Sequence, residues 1–376
     1  MSLFLLLLCA ALASLSSCKR STEFIEVTAI LPLTGPLSLY GVSEQQGMAL
    51  AADRINAAGG IRGMRLKLTF EDSRGQANDA VAAAQRALSV RNVRFLFTSL
   101  TGPTRAVAPV ADNAGAVQIV FAMDEAIPQG FSRIVRIYPG IREEGRMLLA
   151  YARFVKPRRV GIIQLKHVAY DAQVRDVLVP GLHGMGATSV LVDTFDGADL
   201  PSVRPIAAKF RTSRPDLLIL CAYYSQLPHV VKAIAEQGLL GAVDLLAGIN
   251  LPIAARLGLI PKDLLHRIVV AAPEYTIRSE LGQDLPAPAQ AFREHYRSRF
   301  QKDPDYDAAY GYDAVLLLAD AIKIVGPDPS RVTAWLKGVE NYQGASGRLS
   351  IGADGNSLTN WLLGRYDRGQ LSLLNP

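Results

Sequence analysis

The side chains capable of chemistry in this 376-residue chain are spread along it rather than gathered into one motif. Asp124 and Glu125 stand side by side just after an apolar run ending at Phe121. General acid–base catalysis needs its two groups on opposite sides of a substrate, and sequence neighbours meet that geometry poorly. Thr101 precedes Gly102-Pro103, a pair suited to open a helix. First-turn N–H groups there could meet an anion, or the hydroxyl of Thr101 or Ser99 could simply cap the helix. The five histidines, at 167, 183, 229, 266 and 295, lack metal-ligand spacing. The stretch from Gly181 to Gly186 reads Gly-x-x-Gly-x-Gly and follows a helix rather than a strand, so a helix end and turn suit it better than a dinucleotide loop. Neither a Gly-x-Ser-x-Gly elbow nor a Walker A sequence is present. These residues point to binding without turnover, and no cofactor or metal is expected.

Apolar residues make up 49% of the chain and charged residues 20%, which is enough for a packed core and long enough for two α/β lobes. The net charge of +6 comes from scattered basic residues, with Arg158-Arg159 and the pair Arg133 and Arg136 the densest. That reads as a solvated surface and excludes a nucleic-acid tail. Leu3 to Leu8, extended by Ala10 to Leu15, is an apolar block of signal-peptide length. It is shorter than the roughly 20 residues a membrane span requires. Leu15-Ser16-Ser17-Cys18 follows it and resembles the lipobox of bacterial lipoproteins. The resemblance implies a signal peptide over 1–17 and acylation of Cys18, which would hold the protein to the cell envelope, in the periplasm or on the outer face of the membrane. Cys221 then remains alone in the run Leu217 to Cys221, as a small core hydrophobe.

Beyond the leader, strand-like and helix-like segments alternate. Strands are predicted over 27–31, 66–70, 93–97 and 117–121, with helices over 43–56, 78–89 and 103–114 between them. Met48, Ala51, Ala52 and Ile55 set the helical spacing in the first helix, and Gly59-Gly60 stops it. Mostly apolar strands in this alternation argue for a parallel sheet covered on both faces. The plan restarts with strands over 159–164, 189–193, 216–222 and 244–247 and helices over 141–154, 172–183, 203–211 and 226–236. Residues 134–140 and 268–275 read as linkers. Helices follow over 290–300 and 309–324, and a β-rich tail over 347–374.

Several segments together resemble the leucine/isoleucine/valine-type periplasmic binding proteins, the substrate-binding components of ABC importers. They are Leu31-Pro32-Leu33-Thr34-Gly35-Pro36, Tyr40-Gly41, Ile55 through Gly63, Glu71-Asp72, Ala106 through Ala111, Val160 through Ile163, Arg214 through Leu220, Ala309 through Ala321, and Gly347-Arg348-Leu349-Ser350. The segments keep the family's order across nearly the whole chain. The resemblance implies an α/β fold of two doubly wound Rossmann-like lobes joined by three crossover segments, the type I periplasmic binding protein fold. It sets an N-lobe of 24–139 plus 273–347 and a C-lobe of 140–272 plus 348–376. The expected partners are a small-molecule ligand and ABC permease subunits, and the expected state is a monomer. A ligand sensor of the same fold, signalling to a membrane receptor, is the alternative reading, with an enzyme further behind.

Position by position, the resemblance also implies a set of ligand contacts. Tyr40 follows the first loop, where the family places an aromatic side chain; packing within the loop is the other reading. Ser99 and Thr101 fall on the family's carboxylate-binding loop. Asp124 and Glu125 replace a neutral pair that grips amino acids, which would turn the preference toward a cationic, amine-bearing or hydroxyl-rich ligand. Glu125 reads better as a helix cap. Tyr170 would close over the ligand from the C-lobe, Tyr223 follows a strand end, and Asn250 falls near the family's ammonium-binding acid. Glu274, at the second crossover, is either a displaced charge or part of a hinge salt bridge. The ligand expected on these grounds is an amino acid or amino-acid-like molecule, an amide or an amine.

Overall fold

A computed structural model describes residues 24–283 and 285–374. The leader and Cys18 lie outside the described residues. In the first lobe, five strands form one sheet: β1 (Phe24–Leu31), β2 (Arg65–Asp72), β3 (Phe95–Ser99), β4 (Val117–Phe121) and β5 (Ile134–Arg136). Their order is β2-β1-β3-β4-β5 and every pairing is parallel. β3 and β4 are buried along their whole length, as strands covered by helices on both faces must be.

The second lobe repeats the plan with β6 (Arg159–Leu165), β7 (Ser189–Phe195), β8 (Leu217–Cys221), β9 (Asp244–Ala247) and β10 (Ile268–Pro273). A small antiparallel sheet of β11 (Tyr342–Gly344), β12 (Gly347–Ile351) and β13 (Ser357–Thr359) comes next. The last described strands are β14 (Trp361–Asp367), which adds antiparallel to β10, and β15 (Gln370–Leu374), which adds antiparallel to β14. The second sheet thus runs β7-β6-β8-β9-β10-β14-β15, and its first five strands match the order of the first lobe. Each sheet reverses direction of growth beside its first strand, the place where doubly wound sheets open a crevice at the strands' carboxyl ends.

Two segments read as linkers prove to be strands. Residues 134–136 pair with β4, and 268–273 form a central strand of the second sheet. The lobe boundaries move accordingly. The helix Glu274–Glu280 packs on β10 and β14, so the return to the N-lobe falls after it rather than at 273. The helix Pro329–Leu336 packs on β4 and β5, and Arg136 bridges to Asn356. The N-lobe therefore continues past 347, and the last crossover lies just before β14.

The N-lobe is closed by residues far apart in sequence. The helix Ser38–Ala57 crosses the helix Tyr306–Val325 at two glycines. A Cβ on Gly47 would stand 1.9 Å from the Ala308 carbonyl oxygen, and one on Gly311 would stand 2.6 Å from that of Glu44. Only residues without a side chain allow the two backbones to approach this closely.

Candidate functional site

The carboxyl ends of the strands face each other across the lobes. β3 delivers Ser99, Leu100 and Thr101; β4 delivers Phe121, Ala122 and Met123; β6 is followed by His167, Ala169 and Tyr170; β8 by Tyr223; and β9 by Asn250. With Tyr40, Tyr138, Ile141 and Tyr306 they enclose a cavity of about 30 Å³. That volume holds little more than water, because the two lobes already touch.

The contact between lobes is polar and buried. The Tyr40 hydroxyl donates to Asn250 Oδ1 at 2.6 Å, and Asn250 Nδ2 donates to the Tyr170 hydroxyl at 3.1 Å. The Tyr224 hydroxyl donates to the Pro36 carbonyl at 3.1 Å. At the rim, Arg256 of the C-lobe pairs with Asp305 of the N-lobe at 3.3 Å. Tyr40 also meets the rings of Tyr223 and Tyr224 edge-on, with centroids 6.3 and 5.2 Å away. Such tilted contacts suit the aromatic quadrupole. Burial pushes the phenols of Tyr40, Tyr170 and Tyr223 upward, so all three remain protonated.

Leu100 sits at φ 66° and ψ 147°, a backbone conformation that a leucine adopts only under strain. It turns the chain from β3 directly into the helix Thr101–Asn113. No side chain caps that helix, because its N-cap residue is Leu100, and the Ser99 hydroxyl just before it donates to Glu44 Oε1 at 2.8 Å. The Thr104 amide bonds the Leu100 carbonyl and Pro103 has no N–H, which leaves the amides of Thr101 and Gly102 without an intrahelical acceptor, and Thr101 itself lines the cavity.

Beneath the N-lobe floor lie two buried carboxyl groups. Glu44 accepts from Ser99, and Asp307 Oδ1 accepts from the Tyr138 hydroxyl at 2.5 Å. Glu44 Oε2 and Asp307 Oδ2 have no hydrogen-bond partner among the described residues. Burial, and then the charge of Asp307, pushes Glu44 well above the ordinary carboxyl range. Burial, and then Asp305, does the same to Asp307.

Six of the eight residues singled out in the sequence line this cavity: Tyr40, Ser99, Thr101, Tyr170, Tyr223 and Asn250. Two do not. Asp124 is buried, but Arg105 holds it, with Nε at 2.8 Å, and it also accepts from the Ala126 amide at 3.0 Å. Its charge is neutralised behind the wall rather than presented to the cleft. That removes the ground for a cationic ligand, because Glu125 accepts from the Arg142 amide at the start of the helix Ile141–Val155. Glu274 pairs with Arg278 at 2.6 Å and accepts from Asn360 at 3.2 Å, away from the cavity. Sequence reasoning missed His167, Tyr138 and Tyr306. His167 left a signal in lying just past the end of β6, three residues before Tyr170. The other two arrive through the first crossover and the start of a distant helix, which local spacing cannot reveal.

Two matched doubly wound lobes closing on an interlobe cavity define a cleft-type binding protein. The family profile named Periplasmic binding protein matches residues 25–370, and the chain belongs to that family. It is 22% identical over 331 residues to the Leu/Ile/Val-binding protein homolog 7 of Brucella abortus, covering 84% of this chain and 81% of the relative. The solved structure of LivJ from Streptococcus pneumoniae in complex with isoleucine superposes with a TM-score of 0.80 at 20% identity, over 94% of this chain and all of that one. A solute-binding protein of an ABC transporter from Rhodopseudomonas palustris, in complex with 3,4-dihydroxybenzoic acid, gives 0.79 at 19% identity, over 91% of this chain and 93% of that one.

Proposed function

We propose that this chain is the extracytoplasmic substrate-binding lipoprotein of an ABC importer and captures a small organic ligand between its lobes. The observation that carries the reading is the cavity built from both lobes at the carboxyl ends of their strands, bridged by Tyr40 and Asn250. A ligand larger than water takes the place of the direct Tyr40–Asn250 bridge and contacts the two lobes at once, so it shifts the balance from the open form toward one closed around it. The closed form then docks on permease subunits in the membrane. The names of the relatives support small carboxylates with an apolar body, since isoleucine and 3,4-dihydroxybenzoic acid both answer that description.

Native mass spectrometry of the protein purified from its own host tests the binding role. A co-purifying small molecule, lost on unfolding, is expected; a product formed from it on incubation would mark an enzyme instead. The lipid anchor through Cys18 is tested by Cys18→Ser. The variant should leave the membrane fraction, and continued partitioning there would count against acylation. Deletion of the permease genes separates import from sensing: uptake of the identified ligand should cease, whereas retained uptake with a lost transcriptional response would favour a sensor.

A further inference from the structure

We propose that the cleft selects a planar aromatic carboxylate over α-amino acids and amines, with Tyr223, set by His167, as a specificity-determining donor. The proposal rests on the binding-protein reading above and deepens it. It follows from counting what the cavity wall can give and accept.

His167 Nδ1 accepts from the Ala169 amide at 3.2 Å. In a neutral imidazole the proton must then sit on Nε2. Burial lowers the basicity of His167, which keeps the ring neutral. Nε2 lies 3.1 Å from the Tyr223 hydroxyl, so the ring donates and the phenol oxygen accepts. The O–H of Tyr223 is left free to donate into the cavity that it lines.

Asn250 gives the same result on its own. It faces Tyr40 with one amide atom and Tyr170 with the other. Whichever way its amide is turned, it accepts from one phenol and donates to the other. One of these two phenol O–H groups therefore also stays free. The Thr101 hydroxyl, with the uncapped helix turn behind it, adds further donors.

Carboxylates that could pair with an ammonium are missing from this wall. No lining residue among those described is an Asp, Glu, Lys or Arg. Asp124 is spent on Arg105 and Glu274 on Arg278. Glu44 and Asp307 lie behind Ser99 and Tyr138, whose hydroxyls they accept from, and burial pushes both carboxyls upward. Neither an ammonium nor a carboxylate meets a counter-charge on this wall, so the choice falls to the free hydrogen-bonding groups, and those identified are donors. A carboxylate would meet several donors, and charge-assisted hydrogen bonds are the strong ones. Most of the remaining wall is ring faces and edges, from Tyr40, Tyr170, Tyr223, Tyr306, Phe121 and His167, with Leu100, Met123 and Ile141 among the aliphatic residues between them. Offset and edge-to-face packing there favours a flat aromatic body.

The test is calorimetric titration of the full mature protein, stripped of bound ligand by unfolding and refolding. The probes are benzoate, 4-hydroxybenzoate, leucine and tyramine; tyramine keeps an aromatic phenol but carries a positive charge. The benzoates should bind at least about tenfold more tightly than leucine or tyramine. Equal or tighter binding of leucine or tyramine overturns the proposal, and so does failure of all four to bind. In either case a co-purified ligand seen by mass spectrometry would leave the binding role standing, so the two readings fail separately. Tyr223→Phe should weaken benzoate binding about tenfold, since a hydrogen bond to a charged group is lost. His167→Leu should match that loss, and His167→Gln, which restores an N–H donor, should recover most of it at an unchanged thermal midpoint. Wild-type benzoate affinity in Tyr223→Phe would overturn the donor assignment.

Discussion

Glu144 makes stability depend on pH in a way that can be worked from its surroundings. It lies on the helix Ile141–Val155 and is 3% exposed. Its carboxylate accepts from the Ile249 amide at 2.8 Å and from Gln173 Nε2 at 3.0 Å. Burial raises its pKa from 4.5 to about 7, with the two hydrogen bonds only partly opposing the rise. The folded state therefore holds this proton more tightly than the unfolded state does. The associated stability is fully present below pH 4.5, is lost progressively as the pH rises to about 7, and changes little above that. At about 1.4 kcal/mol per pH unit, the loss amounts to about 3 kcal/mol. Asp313, raised to about 6 by burial, titrates in an overlapping range, so the wild-type profile alone cannot isolate Glu144. Glu144→Gln can, because it keeps the side-chain volume beside Gly248 and removes the titration, while the exchange of one accepting oxygen for an amide donor adds a cost that does not vary with pH. Urea unfolding of both proteins across this range should show the variant gaining on the wild type by about 3 kcal/mol from the acid end to the neutral end. A stability difference that stays constant with pH would refute the reasoning.

Other consequences are equally direct. Tyr40→Phe removes the O–H that bridges to Asn250 and should shift the ligand-free protein toward the open form by about 1–3 kcal/mol. Small-angle scattering would show a larger radius of gyration, and an unchanged radius would mean that the bridge does not hold the lobes. Gly47→Ala drives a methyl into the Ala308 backbone and should cost about 1–3 kcal/mol in chemical unfolding; a neutral effect would contradict the close helix crossing. Cys221 is buried, and burial followed by the charge of Glu144 pushes its thiol up. In a Cys18→Ser mature protein it should resist a thiol reagent until denaturant is added; rapid labelling of the native protein would contradict that packing.

Much of this fold is written in local sequence. Short apolar runs such as Leu217 to Cys221, set between helical patterns, read as strands buried on both faces, and this one lies where the sequence predicts it. The segment 134–136 escaped because three residues carry too little pattern to distinguish an edge strand from a linker. The segment 268–273 escaped because of its setting at an expected crossover, although it is apolar throughout. The helix predicted over 43–56 begins earlier, at Ser38, because Leu37 enters it without a side-chain cap to mark the start. At the site, residues just past strand ends were legible, since topology alone brings them to the crevice. The partners of charged groups were not. Nothing in the spacing of Arg105 and Asp124 announces that a turn of helix and a strand end bring them together. An acid whose counter-ion is unknown reads as a free charge, and the preference for a cationic ligand arose from that.

The crossing of Gly47 with Ala308, and of Gly311 with Glu44, bears on how the chain acquires its shape in time. The first lobe needs a helix that lies about 260 residues downstream of its partner. Contacts this distant in sequence make folding slow, because a long loop must be closed before they contribute. The early segments cannot complete a lobe until nearly the whole polypeptide has been made. Under the proposed lipoprotein reading, in which the chain would leave the cytoplasm as an unfolded thread, that delay would be an advantage, since premature compaction would block transit. The same pair of glycines that joins the finished lobe thus also sets the moment at which the lobe can first exist.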